Sequence, residues 1–147
     1  SKKYRTLKLN PIQLAESNSS LNNAVDWVIR AKGEEPILVY ASAPPDAVNE
    51  AQKRLGRDLA SSIVENALAK IASAAVQNGF RRIVVAGGET AGAVVSNLGI
   101  KGIMIGEQID PGVPTTVSIG NPSIGLVLKS GNFGSADFFE KALKIMP

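Results

Sequence analysis

The chain has 147 residues, is 44% hydrophobic and carries a net charge of +3, with no cysteine and no histidine. Its length suffices for one domain with its own core, and the missing residue types exclude disulfides, thiolate chemistry, imidazole bases and histidine metal ligands. No apolar run approaches about 18 residues, and the start Ser1-Lys2-Lys3-Tyr4-Arg5 is unlike a signal peptide, so a soluble, cytoplasmic protein with no membrane segment is expected.

Tyr4 to Leu9 alternates as a strand does, and Lys2, Lys3, Arg5 and Lys8 give it a basic end. With 5% aromatic residues and no basic stripe at helical spacing, this reads as a solvated strand, and no nucleic-acid partner is expected. Leu21, Val25, Val28 and Ile29 predict a helix from Leu21 to Ala31, ended before Gly33, and Pro36 to Tyr40 reads as a buried strand. The polar stretch from Ala43 to Arg57 opens on Pro44-Pro45, which argues against regular structure at its outset. The longest helix is predicted from Asp58 to Asn78, with an apolar stripe through Leu59, Ile63, Ala67, Ile71 and Ala75 and a stop at Gly79.

A strand from Arg82 to Ala86, a helix from Thr90 to Leu98 and a strand from Gly102 to Ile105 follow. Asp110-Pro111-Gly112-Val113-Pro114 reads as a loop, Ile124 to Leu128 as a strand and Ser135 to Ile145 as the last helix. This alternation predicts an α/β layered fold with a mostly parallel or mixed central sheet flanked by helices, residues 1–147 forming a single domain.

Two of the strands run into glycine-rich turns, Gly87-Gly88-Glu89-Thr90-Ala91-Gly92 and Ser130-Gly131-Asn132-Phe133-Gly134. A strand, a tight glycine turn and a helix start aim unpaired N–H groups and the positive end of a helix dipole at one point, which suits a phosphate. In open α/β sheets ligands lie at the carboxyl ends of strands, so the two turns can converge on one nucleotide. Gly87 and Gly88 allow close backbone approach, Thr90 can cap its helix or donate its hydroxyl, and Glu89 suits Mg²⁺ or a ribose hydroxyl. In the second turn Ser130, Gly131 and Asn132 offer amides and short polar groups. Lys129 either reaches a phosphate or is a solvated strand end, Phe133 packs on a base or on the core, and Ser135 is an N-cap candidate. Phe138 and Phe139 are expected in the core.

A dinucleotide-binding oxidoreductase is the alternative, because Glu107 follows the first turn by about twenty residues, where an acidic group would hold a ribose of NAD(P). The spacing Gly-Gly-x-x-x-Gly departs from that fingerprint and leaves the second turn unexplained. A non-catalytic ligand-binding module is a third reading that fold analogy leaves open.

The run Val84-Val85-Ala86-Gly87-Gly88-Glu89-Thr90-Ala91-Gly92-Ala93-Val94-Val95 is one of several stretches with a common likeness. The others are Ile109-Asp110-Pro111-Gly112-Val113-Pro114, Leu128-Lys129-Ser130-Gly131-Asn132-Phe133-Gly134 with Asp137-Phe138-Phe139, and Pro36 to Tyr40 with Ala43-Pro44-Pro45. Together they resemble the carboxyl-terminal domain of the four-carbon acid sugar kinases, which act on threonate, erythronate or 3-oxo-tetronate. The resemblance implies an ATP-dependent phosphotransferase using ATP/ADP and Mg²⁺, of which this chain is the nucleotide-binding domain. Gly87-Gly88-Glu89-Thr90 and Gly131 match the family's nucleotide-contacting turns. It implies as partners an amino-terminal sugar-binding domain, which would hold the general base, and a sugar-acid substrate. The family's serine-rich nucleotide segment is not found before Tyr4, as in a fragment or a divergent stand-alone relative. The isolated chain is then expected to be inactive, to expose an apolar face and to be a candidate for homo-oligomerisation.

Overall fold

The structure is a computed structural model that describes residues 4–33 and 35–147; Lys2 and Lys3 of the basic end lie outside them. The chain divides into two compact units, Ser1–Asn78 and Gly79–Pro147.

In the first unit, β1 (Arg5–Lys8) and β2 (Ile37–Tyr40) pair in parallel from Arg5↔Ile37 to Lys8↔Tyr40. The connection holds α1 (Pro11–Glu16) and α2 (Asn18–Arg30), as a parallel pair requires a crossover. Asn10 starts α1: its Oδ1 accepts the Ile12 N–H at 2.9 Å, while Pro11 occupies a position where no N–H is needed. Six residues are too few to show an apolar repeat, and α1 was not expected.

The polar stretch after β2 forms α3 (Pro45–Leu55), whose start at the paired prolines corrects the irregular outset expected there. Pro45 lies in the first turn, where its missing N–H costs nothing, Asp46 faces the positive end of the dipole, and Lys53 and Arg54 the negative end. Next, α4 (Arg57–Gln77) buries Ala60, Ala67, Ala69, Ile71, Ala75 and Val76. Leu59, expected in its apolar stripe, is instead 51% exposed. Among the described residues α4 is the one helix long and apolar enough to cross a membrane, at a mean hydropathy of 1.2, where the sequence reading expected none. It packs against α1, α2 and α3, so its apolar face serves the interior of this unit.

The second unit contains β3 (Arg82–Ala86), α5 (Gly88–Asn97), β4 (Ile103–Asp110), β5 (Val113–Ser118), β6 (Gly125–Lys129) and α6 (Phe138–Ile145). Its strands lie in the order β3-β6-β5-β4, with β3 and β6 parallel and β5 antiparallel to both neighbours. The expected loop at 110–114 is thus a hairpin turned at Pro111-Gly112. The proline at 114 lies inside β5, opposite Gln108, where the β4 register shifts and a ladder N–H is dispensable. Ile109, Val113, Val127, Phe138, Ala142 and Met146 form a buried core that seats α6 on the sheet. The edge strand β4 leaves Met104 58% and Ile105 75% exposed. One parallel sheet, one mixed sheet and flanking helices make this the layered α/β fold expected.

Candidate functional site

The last residues of β3 and β6 are register partners, Ala86 opposite Lys129, so the two turns leave the sheet side by side at its carboxyl edge. The Gly87 N–H continues the ladder to the Lys129 carbonyl at 2.8 Å. Gly87 then adopts φ +114°, a conformation that L side chains rarely take, and the chain enters α5 at once. No side chain caps this helix. Its first intrahelical bond runs from the Ala91 N–H to the Gly87 carbonyl, which leaves the N–H groups of Gly88, Glu89 and Thr90 without intrahelical acceptors.

The second turn lies against this helix start. A Cβ placed on Gly88 would stand 3.7 Å from Cβ of Ser130, an ordinary contact distance, so the start of α5 and the second turn lie close together at this point. Gly131 takes φ +47° and Gly134 φ +93°, folding the chain tightly between them. The Lys129 ammonium donates to the Gly131 carbonyl at 2.9 Å and brings a positive charge to the rim. Gly88, Glu89, Ser130, Gly131 and Asn132 are exposed, and Gly87, Thr90 and Lys129 half-buried. All eight residues singled out in the sequence therefore lie along one edge of one sheet.

Two side-chain expectations are corrected, and one of the two alternatives for Thr90 is removed. Thr90 does not cap α5, whose N-cap is Gly87 with no side-chain bond. Ser135 does not cap α6 either: the helix starts after Asp137, and Ser135 turns to Asp110 instead. Phe138 is 1% exposed as expected, but Phe139 is 42% exposed, because only one of two neighbouring residues on α6 can face the sheet. Phe133 is 52% exposed, with its ring against Gly112.

A network missed by the sequence reading joins the β4–β5 hairpin to the second turn. Asp110 Oδ2 accepts the Ser135 N–H at 2.9 Å and lies 2.8 Å from Ser135 Oγ, while Oδ1 meets Lys141 Nζ at 3.1 Å. Lys141 also donates to Ser135 Oγ at 2.8 Å and pairs with Asp137 at 3.2 Å. The hydrogen bonds from Ser135, then the one from Lys141, hold the Asp110 carboxyl down at about 2. Asp137 is lowered by the same two partners, and Lys141 is raised by the two carboxylates it meets. Asp110 and Asp137 lay inside the recognised motifs, but no local pattern connects residues so far apart in sequence.

Glu107 does not support the dinucleotide alternative. It lies on β4, which β6 and β5 separate from β3, whereas a ribose-holding carboxylate belongs on the strand beside the glycine turn. Among the described residues no group of three or more Asp or Glu side chains is placed to hold a metal ion.

A family model described as "Nucleotide-binding C-terminal domain" matches residues 1–139. The 3-oxo-tetronate kinase of Burkholderia multivorans is 46% identical over 141 residues, which cover 96% of this chain and 33% of that protein. That of Pseudomonas savastanoi pv. phaseolicola is 49% identical over 138 residues, 94% of this chain and 32% of that protein. A crystal structure of a Haemophilus influenzae protein matches with a TM-score of 0.89 and 40% identity, over 97% of this chain and 35% of that one. The chain belongs to the family of nucleotide-binding C-terminal domains. It spans about a third of the length of the curated relatives it matches.

Proposed function

We propose that this chain is the ATP-binding, carboxyl-terminal part of a cytoplasmic four-carbon acid sugar kinase, with both compact units belonging to one nucleotide-binding domain. The match along residues 1–139 spans both units, and the relatives it covers are named 3-oxo-tetronate kinases. The observation that carries the reading is the meeting of the two turns, with the position of a Gly88 Cβ 3.7 Å from Ser130. Helix-start amides, a second glycine turn and a lysine brought together at one sheet edge form the donor set that a polyphosphate needs.

Gly87, Gly88, Glu89, Thr90, Lys129, Ser130, Gly131 and Asn132 are the residues proposed to hold ATP or ADP. The amides of 88–90 and the Lys129 ammonium neutralise phosphate charge, and Glu89 is the carboxylate available to Mg²⁺. One carboxylate is enough for this ion, which normally keeps waters and takes its other ligands from the phosphates. When bound, Mg²⁺ supplies charge neutralisation during phosphoryl transfer, and what the chain must add is positioning and fixed dipoles. The sugar acid, its acceptor hydroxyl and the general base belong to an amino-terminal sugar-binding partner domain.

The test is thermal unfolding of the chain with ATP, ADP or NAD and Mg²⁺, since a ligand that binds only the folded state raises Tm by mass action. ATP and ADP are expected to raise Tm and NAD to leave it unchanged; stabilisation by NAD alone would overturn the reading. The chain alone is expected to show no turnover, and kinase activity without a partner domain would contradict the division of labour.

A further inference from the structure

Resting on that reading of the site, we propose that Asp110 is a positioning residue for the nucleotide: from the β4–β5 hairpin it holds the second glycine turn in the shape that receives phosphate. Asp110 ends β4, and its side chain is only 11% exposed. Two register irregularities precede it, between Ile105 and Gln108 and between Gln108 and Asp110. Bulges of this kind re-aim side chains beside functional sites, and here the re-aimed side chain is the one that reaches Ser135.

The hairpin meets the second turn at two places. Asp110 takes the N–H of Ser135, which directly follows Gly134. Two residues further on, a Cβ on Gly112 would come 2.9 Å from Phe133 Cε1, so the bare glycine provides the seat for that ring. On the other side of the turn, a Cβ on Gly134 would lie 2.8 Å from Phe138 Cδ2 and 3.1 Å from Lys129 Cε. The turn is thus closed between the hairpin, the start of α6 and Lys129.

Ser135 Oγ has one proton for two carboxylates, Asp110 Oδ2 at 2.8 Å and Asp137 Oδ1 at 2.6 Å, and Lys141 supplies the charge that lets both stay close. Pairs of this exposure add little to global stability, Lys141 being 38% and Asp137 59% exposed. Their main effect is local, on the conformation of the segment between Lys129 and Ser135. The bonds of Asp110 go to Ser135 and Lys141, so it acts on the turn through Ser135.

The test measures ADP affinity, with Mg²⁺, of the wild-type chain, Asp110→Ala and Asp110→Asn by calorimetry, together with amide exchange of residues 130–135. Asp110→Ala is expected to weaken ADP about tenfold or more, the loss of a charge-assisted hydrogen bond, and to speed exchange in that segment. Asp110→Asn keeps an oxygen for the Ser135 N–H but turns its amide NH2 toward the Lys141 ammonium, and is expected to recover only part of the affinity, in step with the recovery of slow exchange at 130–135, a correlation that ties the order of the turn to the binding constant. Wild-type affinity in a folded Asp110→Ala overturns the proposal while leaving the nucleotide reading intact. A wild-type chain that binds no ADP overturns both. Should Asp110→Ala not fold, Ser135→Ala carries the test: about threefold weaker binding is expected from the lost hydroxyl alone, and unchanged binding overturns the proposal.

Discussion

The turn after β3 owes its shape to main chain: a ladder bond from Gly87 to the Lys129 carbonyl, a left-handed φ at Gly87 and an immediate helix start with no side-chain cap. The turn after β6, its neighbour on the same sheet edge, is held largely by side chains, with Lys129 of β6 on its Gly131 carbonyl, its own Phe133 seated on Gly112 of the β4–β5 hairpin, and Asp110 of that hairpin on Ser135. A turn fixed by backbone presents its donors without support from side chains elsewhere in the fold. A turn fixed by side chains can be loosened from a distance, so the two halves of the site should differ in what disrupts them.

The largest expected effect is Gly87→Val. It combines a φ of +114° with a Cβ 3.2 Å from Thr90 Oγ1, so it should cost about 1–3 kcal/mol of stability, read by denaturant or thermal unfolding, and remove ADP binding. Its neighbour separates fold from site. Gly88 has no positive φ, and an added Cβ makes only an ordinary contact with Ser130. Gly88→Val should therefore leave Tm nearly unchanged while weakening ADP more than about tenfold. Unchanged affinity would take the first turn out of the site.

Lys129→Met probes the side-chain-held turn more gently. Loss of the bond to the Gly131 carbonyl should cost about 0.5–1.5 kcal/mol in unfolding measurements and weaken ADP several-fold through the missing charge. A variant as tight as wild type would show that Lys129 serves only the turn.

The smallest effect is one of pH. The Asp110 carboxyl sits at about 2 in the fold against an ordinary value of 3.8. Its contribution is thus fully present above about 4 and is lost as pH falls toward about 2. Asp110→Asn should flatten this part of the stability–pH curve and lower stability slightly near neutrality, where the ionised carboxyl contributes fully. A wild-type curve already flat between those values would remove the ionic part of the Asp110 contacts.

The same contrast explains what could be read from the sequence. The strand Arg82 to Ala86 agrees residue for residue with β3, and Gly87-Gly88 marked its turn, because both depend on neighbours in the chain. The strand β5 was hidden since Pro111, Gly112 and Pro114 read locally as a loop, and only pairing with β4 and β6 makes Val113–Ser118 a strand. Pro44-Pro45 hid α3 for a related reason: proline signals a break or a helix start, and the sequence alone does not say which. Ser135 resembled an N-cap, yet its partner is Asp110, 25 residues earlier, brought near by the hairpin and α6. Backbone-built features were legible, and those that need tertiary contacts were not.

The most direct measurement is an NMR titration of the chain with ADP and Mg²⁺, following the amides of Gly88, Glu89 and Thr90 alongside those of Gly131 and Asn132. Both groups should shift together and fit one Kd, as two walls of one nucleotide site must. Shifts confined to one turn, or two separate constants, would contradict the convergence on which this account rests.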